Sequence, residues 1–178
     1  MILSEKRKVR QAVRSEIAKL SAEEKAVISS QIFSKIASFK EIESAKVVAI
    51  FVSLSDEPQT ADFIAQLSHH KRVVIPRIAG DEMDFYDISD GVTTGAFGII
   101  EPVAATPIKP NEIDVMIVPG VAFTHLGTRL GRGKGFYDKY LSHKDFRAYT
   151  IGVCYPCQLI ETLPFEKHDR ILDLIISI

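Results

Sequence analysis

Five short, nearly unbroken apolar runs constrain the fold of this chain most strongly. Each run is only five to seven residues long, which suits a β-strand better than a helix. Strands that are apolar at successive positions are covered on both faces, as the strands of a parallel sheet are. The runs lie at residues 46–52, 72–76, 113–118, 148–154 and 172–178.

Segments with helical periodicity separate several of these runs, and this alternation predicts an α/β protein with a largely parallel sheet. Residues 5–20 carry an apolar stripe at helical spacing. Ser21-Ala22-Glu23-Glu24 has the pattern of a capping box, which predicts a second helix from there to about Phe39. The shorter predicted elements are a helix at about 60–69, an alternating strand at 83–88, loops with one short strand at most at 89–112, a glycine-rich loop at 127–135 and a helix at about 135–141.

Length and composition favour one compact domain. The 178 residues are enough to bury a core without disulfides or a structural metal. The 22 Lys and Arg against 23 Asp and Glu give a formal charge of −1, which argues against a general nucleic-acid binder. No run approaches the roughly 20 apolar residues that cross a bilayer, and no signal sequence is evident. We therefore expect a cytoplasmic enzyme or binding domain with no membrane or nucleic-acid partner.

The near-zero net charge conceals two basic stretches, at residues 5–14 and 129–139. In the first, Lys6, Arg10 and Arg14 recur every four residues and form one row on the predicted helix. Like charges at this spacing repel one another, which favours an anion beside the row. A solvated helix face would also explain the three cations. Both basic stretches must face something, and the uncompensated row on the helix suggests an anion.

The second stretch lies in a loop with four glycines. Glycine lets backbone amides approach a ligand closely, and successive amides form an anion-binding concavity. The loop is therefore predicted to bind phosphate. The alternative interpretation is a tight surface turn whose Arg and Lys side chains are solvated. The loop is not a Walker A motif, because Thr128 and Gly135 occupy two of its required positions, and it is not G-x-G-x-x-G. The glycines are Gly127, Gly131, Gly133 and Gly135, and the cations among them are Arg129, Arg132 and Lys134.

Three acidic residues could act at such a site, although each also has a structural explanation. Glu57 follows an apolar run and could bind a polar ligand group, or it could simply favour the start of the next helix. Asp138 follows the basic loop, where a carboxylate often helps to hold Mg²⁺ beside phosphate, but it also fits the first turn of a helix. Asp169 could be a second metal-facing acid or a surface-loop residue.

Cys154-Tyr155-Pro156-Cys157 matches C-x-x-C after a predicted strand. A thioredoxin-like redox site is therefore an alternative interpretation, and it predicts a thiol of low pKa at Cys154.

Taken together, these residues resemble the 5-formyltetrahydrofolate cyclo-ligase family, also called methenyltetrahydrofolate synthetase. The strongest match is Pro119-Gly120-Val121-Ala122-Phe123 followed by Gly127-x-Arg129-Leu130-Gly131-Arg132-Gly133-Lys134-Gly135-Phe136-Tyr137-Asp138. Shorter matches are Lys6-x-x-x-Arg10, Glu57-x-x-Thr60, Gly98-x-x-Glu101-Pro102, Gln158, Leu163-Pro164 and His168-Asp169. The chain departs from the family at Thr124, where Asp is usual.

The resemblance implies a single three-layer α/β/α domain over residues 1–178. It also implies ATP- and Mg²⁺-dependent conversion of 5-formyltetrahydrofolate to 5,10-methenyltetrahydrofolate, with release of ADP and phosphate. The formyl oxygen would take the γ-phosphoryl group, and N10 would then close the ring. A monomer or a weak homodimer with only small-molecule substrates is expected. A sugar-phosphate isomerase or transferase and a non-catalytic nucleotide-binding module are the alternatives.

The resemblance also assigns roles to individual residues. Lys134, Arg132 and Tyr137 would be catalytic, and Asp138 and Asp169 would hold Mg²⁺ directly or through water. The folate would contact Val52, Glu57, Arg132 and Phe136, with Glu57 accepting hydrogen bonds from the pterin. The ATP-binding residues would be Lys6, Arg10, Arg129, Leu130, Gly131, Arg132, Gly133, Lys134, Gly135, Phe136 and Tyr137. The two basic stretches should therefore meet in space around one triphosphate.

Overall fold

A central six-stranded sheet organises the structure, a computed structural model that describes residues 2–95, 100–166 and 169–178. The helices are α1 (Ile2–Ile17), α2 (Ala22–Ala37), α3 (Lys40–Ser44), α4 (Ala61–Ser68) and α5 (Phe136–Leu141). The strands are β1 (Val47–Ile50), β2 (Arg72–Ala79), β3 (Glu82–Asp87), β4 (Val92–Thr94), β5 (Ile100–Pro102), β6 (Val115–Val118), β7 (Ala122–Phe123), β8 (Arg129–Leu130), β9 (Tyr149–Val153) and β10 (Leu174–Ile176).

The strand order of this sheet is β10-β9-β6-β1-β2-β3. All neighbouring strands pair in parallel except β3, which runs antiparallel to β2 at one edge. The apolar runs of the sequence therefore form the parallel core of the sheet. None of the described helices combines the length and apolarity needed to cross a membrane.

Both faces of the sheet are buried, as the continuous apolar runs require. On β1, Val48 and Ile50 pack with residues of α2, α3 and α4, whereas Ala49 points to the opposite face. There it packs with Met116 of β6 and with Tyr140 of α5. All of the β1 and β6 side chains named here are completely inaccessible to solvent. The predicted α/β fold with helices on both faces of a mostly parallel sheet is confirmed.

The capping box predicted at the start of α2 is present. The Ser21 hydroxyl accepts a hydrogen bond from the Glu24 amide at 3.1 Å, and the Glu24 carboxylate accepts one from the Ser21 amide at 2.7 Å. Loss of such a cap costs about 1 kcal/mol. The first helix differs in extent from the prediction, because it begins at Ile2 and ends at Ile17.

Two predictions about irregular segments are wrong. Residues 89–112 contain two short strands rather than one at most, because β4 and β5 form an antiparallel hairpin. The glycine-rich loop contains β8, which pairs with β7. Strands of two or three residues are too short to show a hydrophobic period, and all three residues of β4 are exposed. The sequence therefore offered no apolar signal for them.

Three loops that follow parallel strands lie at one edge of the sheet, and buried side chains connect them. The Tyr155 hydroxyl, after β9, donates to the Glu57 carbonyl oxygen in the loop after β1 at 2.8 Å. The Gln158 amide donates to the carbonyl oxygens of Gly120 and Val121, after β6, at 2.9 and 3.1 Å. Ligands of open α/β sheets bind at this carboxyl edge. The hydrogen-bonded loops therefore provide a rigid base for a binding site.

Candidate active site

A cleft of about 480 Å³ opens at the carboxyl edge of the sheet. Helix α1, the loop after β1, the glycine-rich loop and the segment before β10 all contribute to its walls. Every residue predicted for the site lines this cleft: Lys6, Arg10, Val52, Glu57, Asp169 and all residues from Arg129 to Asp138. The structure thus brings these residues together, while their roles toward substrates stay predictions.

The two basic stretches meet in this cleft, as predicted. The Arg10 side chain on α1 donates from Nε to the carbonyl oxygen of Gly131 at 2.8 Å. Burial and the neighbouring charge of Arg14 lower the pKa of Arg10 below its ordinary value. Arg14 itself is exposed and does not line the cleft. The helix therefore contributes Lys6 and Arg10 to the site, and not the third member of the row.

Lys6 is buried and is held by two carboxylates. Its ammonium group lies 2.8 Å from Glu166 Oε2 and 2.7 Å from Asp169 Oδ2. Burial lowers the pKa of Lys6, but the two acids outweigh this effect and raise it above its ordinary value. Asp169 Oδ2 also accepts the Glu166 amide at 2.8 Å. Glu166 was not predicted from the sequence, although it lies only three positions before Asp169.

A second ion-pair cluster joins the glycine-rich loop to the loop after β1. The carboxylate oxygen Oε1 of Glu57 accepts from Arg132 Nε at 3.1 Å and from its terminal nitrogen at 2.9 Å. The same terminal nitrogen donates to Asp56 Oδ1. Burial lowers the pKa of Arg132, but the two acids outweigh this effect and raise it above its ordinary value. Burial raises the pKa of Asp56, but the Arg132 guanidinium outweighs this effect and holds it below its usual value.

Arg129 lies inside the protein beneath the glycine-rich loop, with only 3% of its side chain exposed. Its guanidinium lies 2.8 Å from Asp138 Oδ1. A Cβ atom at Gly131 would come within 2.7 Å of this guanidinium, so the glycine makes room for it. At Gly127 the backbone φ is +86°, and a Cβ would lie 2.2 Å from the Leu172 carbonyl oxygen. These two glycines therefore serve internal packing, whereas the sequence analysis assigned all four to ligand approach.

Some residues that line the cleft carry buried polar atoms without hydrogen-bond partners. They include Arg129 Nε, the Tyr137 hydroxyl and Asp138 Oδ1, which is close to Arg129 but not aligned with it as a hydrogen-bond acceptor. Burial raises the pKa of Tyr137, so its hydroxyl stays protonated at neutral pH and can donate. Such orphaned atoms indicate a place for polar ligand groups or ordered water.

The acidic residues fit a metal ion that the substrate helps to bind. The described parts of the chain contain no group of three or more His, Cys, Asp or Glu side chains that could enclose a metal. Mg²⁺ usually takes one or two carboxylates and completes its shell with phosphate oxygens and water. Asp138 and Asp169 supply hard oxygen donors of this kind on the cleft wall, where each is also paired with a cation of the protein, Asp138 with Arg129 and Asp169 with Lys6.

Lys134 differs from the other cations of the cleft. It is exposed, and it has no ion pair or hydrogen bond with any residue in the described ranges. Its ammonium group is therefore available to an incoming anion without the loss of an internal contact.

Thr124, where the family usually has Asp, lies outside the cleft. It is buried in the turn between β7 and β8, and its hydroxyl accepts a hydrogen bond from the Thr128 amide at 3.3 Å. An Asp side chain makes the same kind of local bond. The neighbouring His125 is exposed. Gly98 and His168, two further positions of the resemblance, lie outside the described residues.

The cysteine pair does not have the properties of a redox site. Cys154 is completely buried, and burial raises its pKa to about 12. Burial also raises the pKa of Cys157. A reactive dithiol instead needs a lowered thiol pKa and access to solvent. The alternative prediction of a low-pKa thiol at Cys154 is therefore wrong.

The fold and the cleft together define an α/β protein with a basic, glycine-rich cleft at the carboxyl edge of a mostly parallel sheet, where ligands of such folds bind. The sequence model of the 5-formyltetrahydrofolate cyclo-ligase family matches residues 2–177. The chain therefore belongs to this family, and the prediction that it is an enzyme of the ligase class is confirmed.

Individual relatives agree with this placement. The 5-formyltetrahydrofolate cyclo-ligase of Escherichia coli K12 is 30% identical over 93% of this chain and 96% of its own. The mouse enzyme of the same name is 27% identical over 96% and 92%. The NMR structure of 5,10-methenyltetrahydrofolate synthetase from Aquifex aeolicus superposes with a TM-score of 0.86 at 32% identity, over 97% of this chain and 89% of that one.

Proposed function

We propose that this chain converts 5-formyltetrahydrofolate to 5,10-methenyltetrahydrofolate, with ATP cleaved to ADP and phosphate in the presence of Mg²⁺. The observation that carries this proposal is the composition of the cleft. It combines a basic, glycine-rich wall suited to a polyphosphate with a buried carboxylate suited to a nitrogen heterocycle. Residues 1–178 would act as one catalytic domain, as a monomer or a weak homodimer.

The polyphosphate would lie along the glycine-rich loop. Backbone amides of residues 129–137 would bind phosphate oxygens, and Arg10 would hold the loop through the Gly131 carbonyl. Lys134 is the cation with no internal partner among the described residues, so it would reach the γ-phosphate. Lys6 would contribute positive charge from the α1 side of the cleft. Phosphoryl transfer needs positioning and charge neutralisation more than covalent help, which these groups supply.

The folate would occupy the part of the cleft between β1 and α5. Glu57 is 6% exposed, and its carboxylate would accept hydrogen bonds from the amino and ring N–H groups of the pterin. Val52 and Phe136 line the same cleft and would provide apolar walls beside it. In the free protein Arg132 occupies Glu57 Oε1, so the substrate would displace at least one of its hydrogen bonds.

The reaction would proceed in two steps. The formyl oxygen attacks the γ-phosphorus and ADP leaves. N10 then attacks the activated formyl carbon, the C–O bond to phosphate breaks, and the N10 proton leaves with the phosphate. Lys134 and Arg132 would stabilise the charge that develops on the transferred phosphoryl oxygens. The protonated Tyr137 hydroxyl would donate a hydrogen bond to an oxygen of the reacting group. Asp138 and Asp169 would hold Mg²⁺, which neutralises phosphate charge when bound.

One experiment tests this function against its alternatives. The chain is mixed with 5-formyltetrahydrofolate and Mg²⁺, with and without ATP, and the absorbance of methenyltetrahydrofolate is followed. We expect product only when ATP is present. A sugar-phosphate isomerase or transferase would give no ATP-dependent product, and a nucleotide-binding module would bind ATP without turnover. Either result would refute the proposal.

A further inference from the structure

We propose that Asp56 is a positioning residue, which keeps the Arg132 guanidinium in the cleft when the substrate takes the place of Arg132 on Glu57. This inference rests on the proposed function, because it assigns Glu57 to the folate and Arg132 to the transferred phosphoryl group. It adds a residue that does not itself line the cleft.

The Glu57 carboxylate has few acceptor sites left for another donor. Its Oε1 accepts two hydrogen bonds from Arg132, at 3.1 and 2.9 Å, and its Oε2 accepts the Leu54 amide at 2.9 Å. A carboxylate oxygen has about two acceptor sites. A ligand that donates two N–H groups to this carboxylate must therefore displace at least one bond from Arg132.

The Arg132 guanidinium, once displaced from Glu57, needs another anionic partner. Only 33% of the Arg132 side chain is exposed, and a half-buried cation without an anion is unfavourable. Asp56 already accepts a hydrogen bond from the terminal nitrogen of Arg132. Glu57 lines the cleft and Asp56 does not, so we expect a ligand in the cleft to compete with Arg132 for Glu57 rather than for Asp56. Arg132 can therefore leave Glu57 and stay paired with Asp56.

The pairing with Asp56 leaves most of the Arg132 guanidinium available for the reaction. A guanidinium held by one terminal nitrogen keeps its remaining N–H groups for phosphate oxygens. Asp56 would thus hold one nitrogen of Arg132 in place while the rest of the guanidinium reorients from Glu57 toward the phosphates. Arg14 also acts on Asp56 electrostatically and favours its ionised form.

The test is a double-mutant cycle on the full chain, with Asp56→Asn, Arg132→Gln and the double variant. The dissociation constant of 5-formyltetrahydrofolate is measured by calorimetry, and kcat is measured at saturating ATP. We expect Asp56→Asn alone to raise the dissociation constant and to lower kcat, each by about tenfold, as for loss of a charged hydrogen bond. The same substitution should have no further effect in the Arg132→Gln background. The control is Asp62→Asn, an exposed acid of α4, which should behave like the wild type.

Two results would overturn the inference while the proposed function stands. One is an active wild type whose Asp56→Asn variant has unchanged kcat and folate affinity. The other is an equal loss in both backgrounds, which would mean that Asp56 supports the fold and not Arg132. Calorimetry keeps the cycle measurable if the Arg132→Gln variant turns over too slowly. A wild type without ATP-dependent product would instead refute the proposed function and this inference with it.

Discussion

Replacement of Glu57 by Gln tests the folate side of the cleft without a change of side-chain size. The Glu57 carboxylate accepts from donors on both sides, because Leu54 N–H lies on Oε2 and Arg132 on Oε1. A Gln amide has one oxygen and one NH₂ group, so it can accept on only one side. Its NH₂ group must then face either the Leu54 amide or the Arg132 guanidinium, and both of these are donors.

The size of the effect follows from this mismatch. An unsatisfied buried donor costs about 1–3 kcal/mol. For a domain of 150–250 residues, each kcal/mol lowers Tm by roughly 2–4 °C. The variant should therefore melt about 2–12 °C below the wild type. The loss of a carboxylate acceptor for the pterin should also raise the folate KM, by roughly ten- to hundredfold, because hydrogen bonds to charged groups contribute about 1.5–3 kcal/mol. The ATP KM should change much less.

Steady-state absorbance assays with varied 5-formyltetrahydrofolate and ATP, together with thermal unfolding followed by circular dichroism, measure both effects. Glu161→Gln is the matched control, because Glu161 is exposed and lies outside the cleft. A folate KM equal to that of the wild type would refute the pterin role of Glu57. A lowered Tm with an unchanged folate KM would mean that Glu57 serves only to hold the loops together.

Two further predictions concern Lys134 and the cysteines. Lys134→Ala should lower kcat by about 10²–10³-fold, the usual loss for one preorganised electrostatic contact, with Lys144→Ala as an exposed control outside the cleft. Near wild-type turnover would contradict the γ-phosphate role. Because the pKa of Cys154 is raised to about 12, its thiol stays protonated at pH 8 and is buried, so iodoacetamide should modify Cys154 only after denaturation. If mass spectrometry finds Cys154 alkylated in the native protein, the prediction that its thiol is buried and unreactive is wrong.

The sequence predicted those elements whose signals are local and strong. The apolar runs predicted the central strands, and Ser21 with Glu24 predicted the start of α2, because these patterns depend only on burial and on neighbouring residues. The hairpin of β4 and β5 was missed, because three-residue strands show no period. The cleft residues were grouped through the family resemblance rather than through spacing.

The partners of the basic side chains could not be predicted from the sequence. Arg129 was expected to bind ATP from the loop, yet the structure buries it against Asp138. Lys6 meets Glu166, which is 160 positions away along the chain. Such pairings depend on how the elements pack, and no local pattern encodes them. Asp56 was overlooked although it precedes Glu57, because adjacency on a loop does not reveal a shared partner.

The internal pairing of the cleft cations has a consequence for discrimination between anions. Lys6, Arg129 and Arg132 each contact at least one carboxylate of the protein itself. A small monovalent anion, such as chloride, would have to compete for a single cation with a carboxylate of the protein, so it would bind weakly. A chain of several phosphate groups can engage several cations and the loop amides at once. The cleft would therefore select by the valence and length of the ligand, and would remain open to a polyphosphate amid the abundant simple salts of a cell.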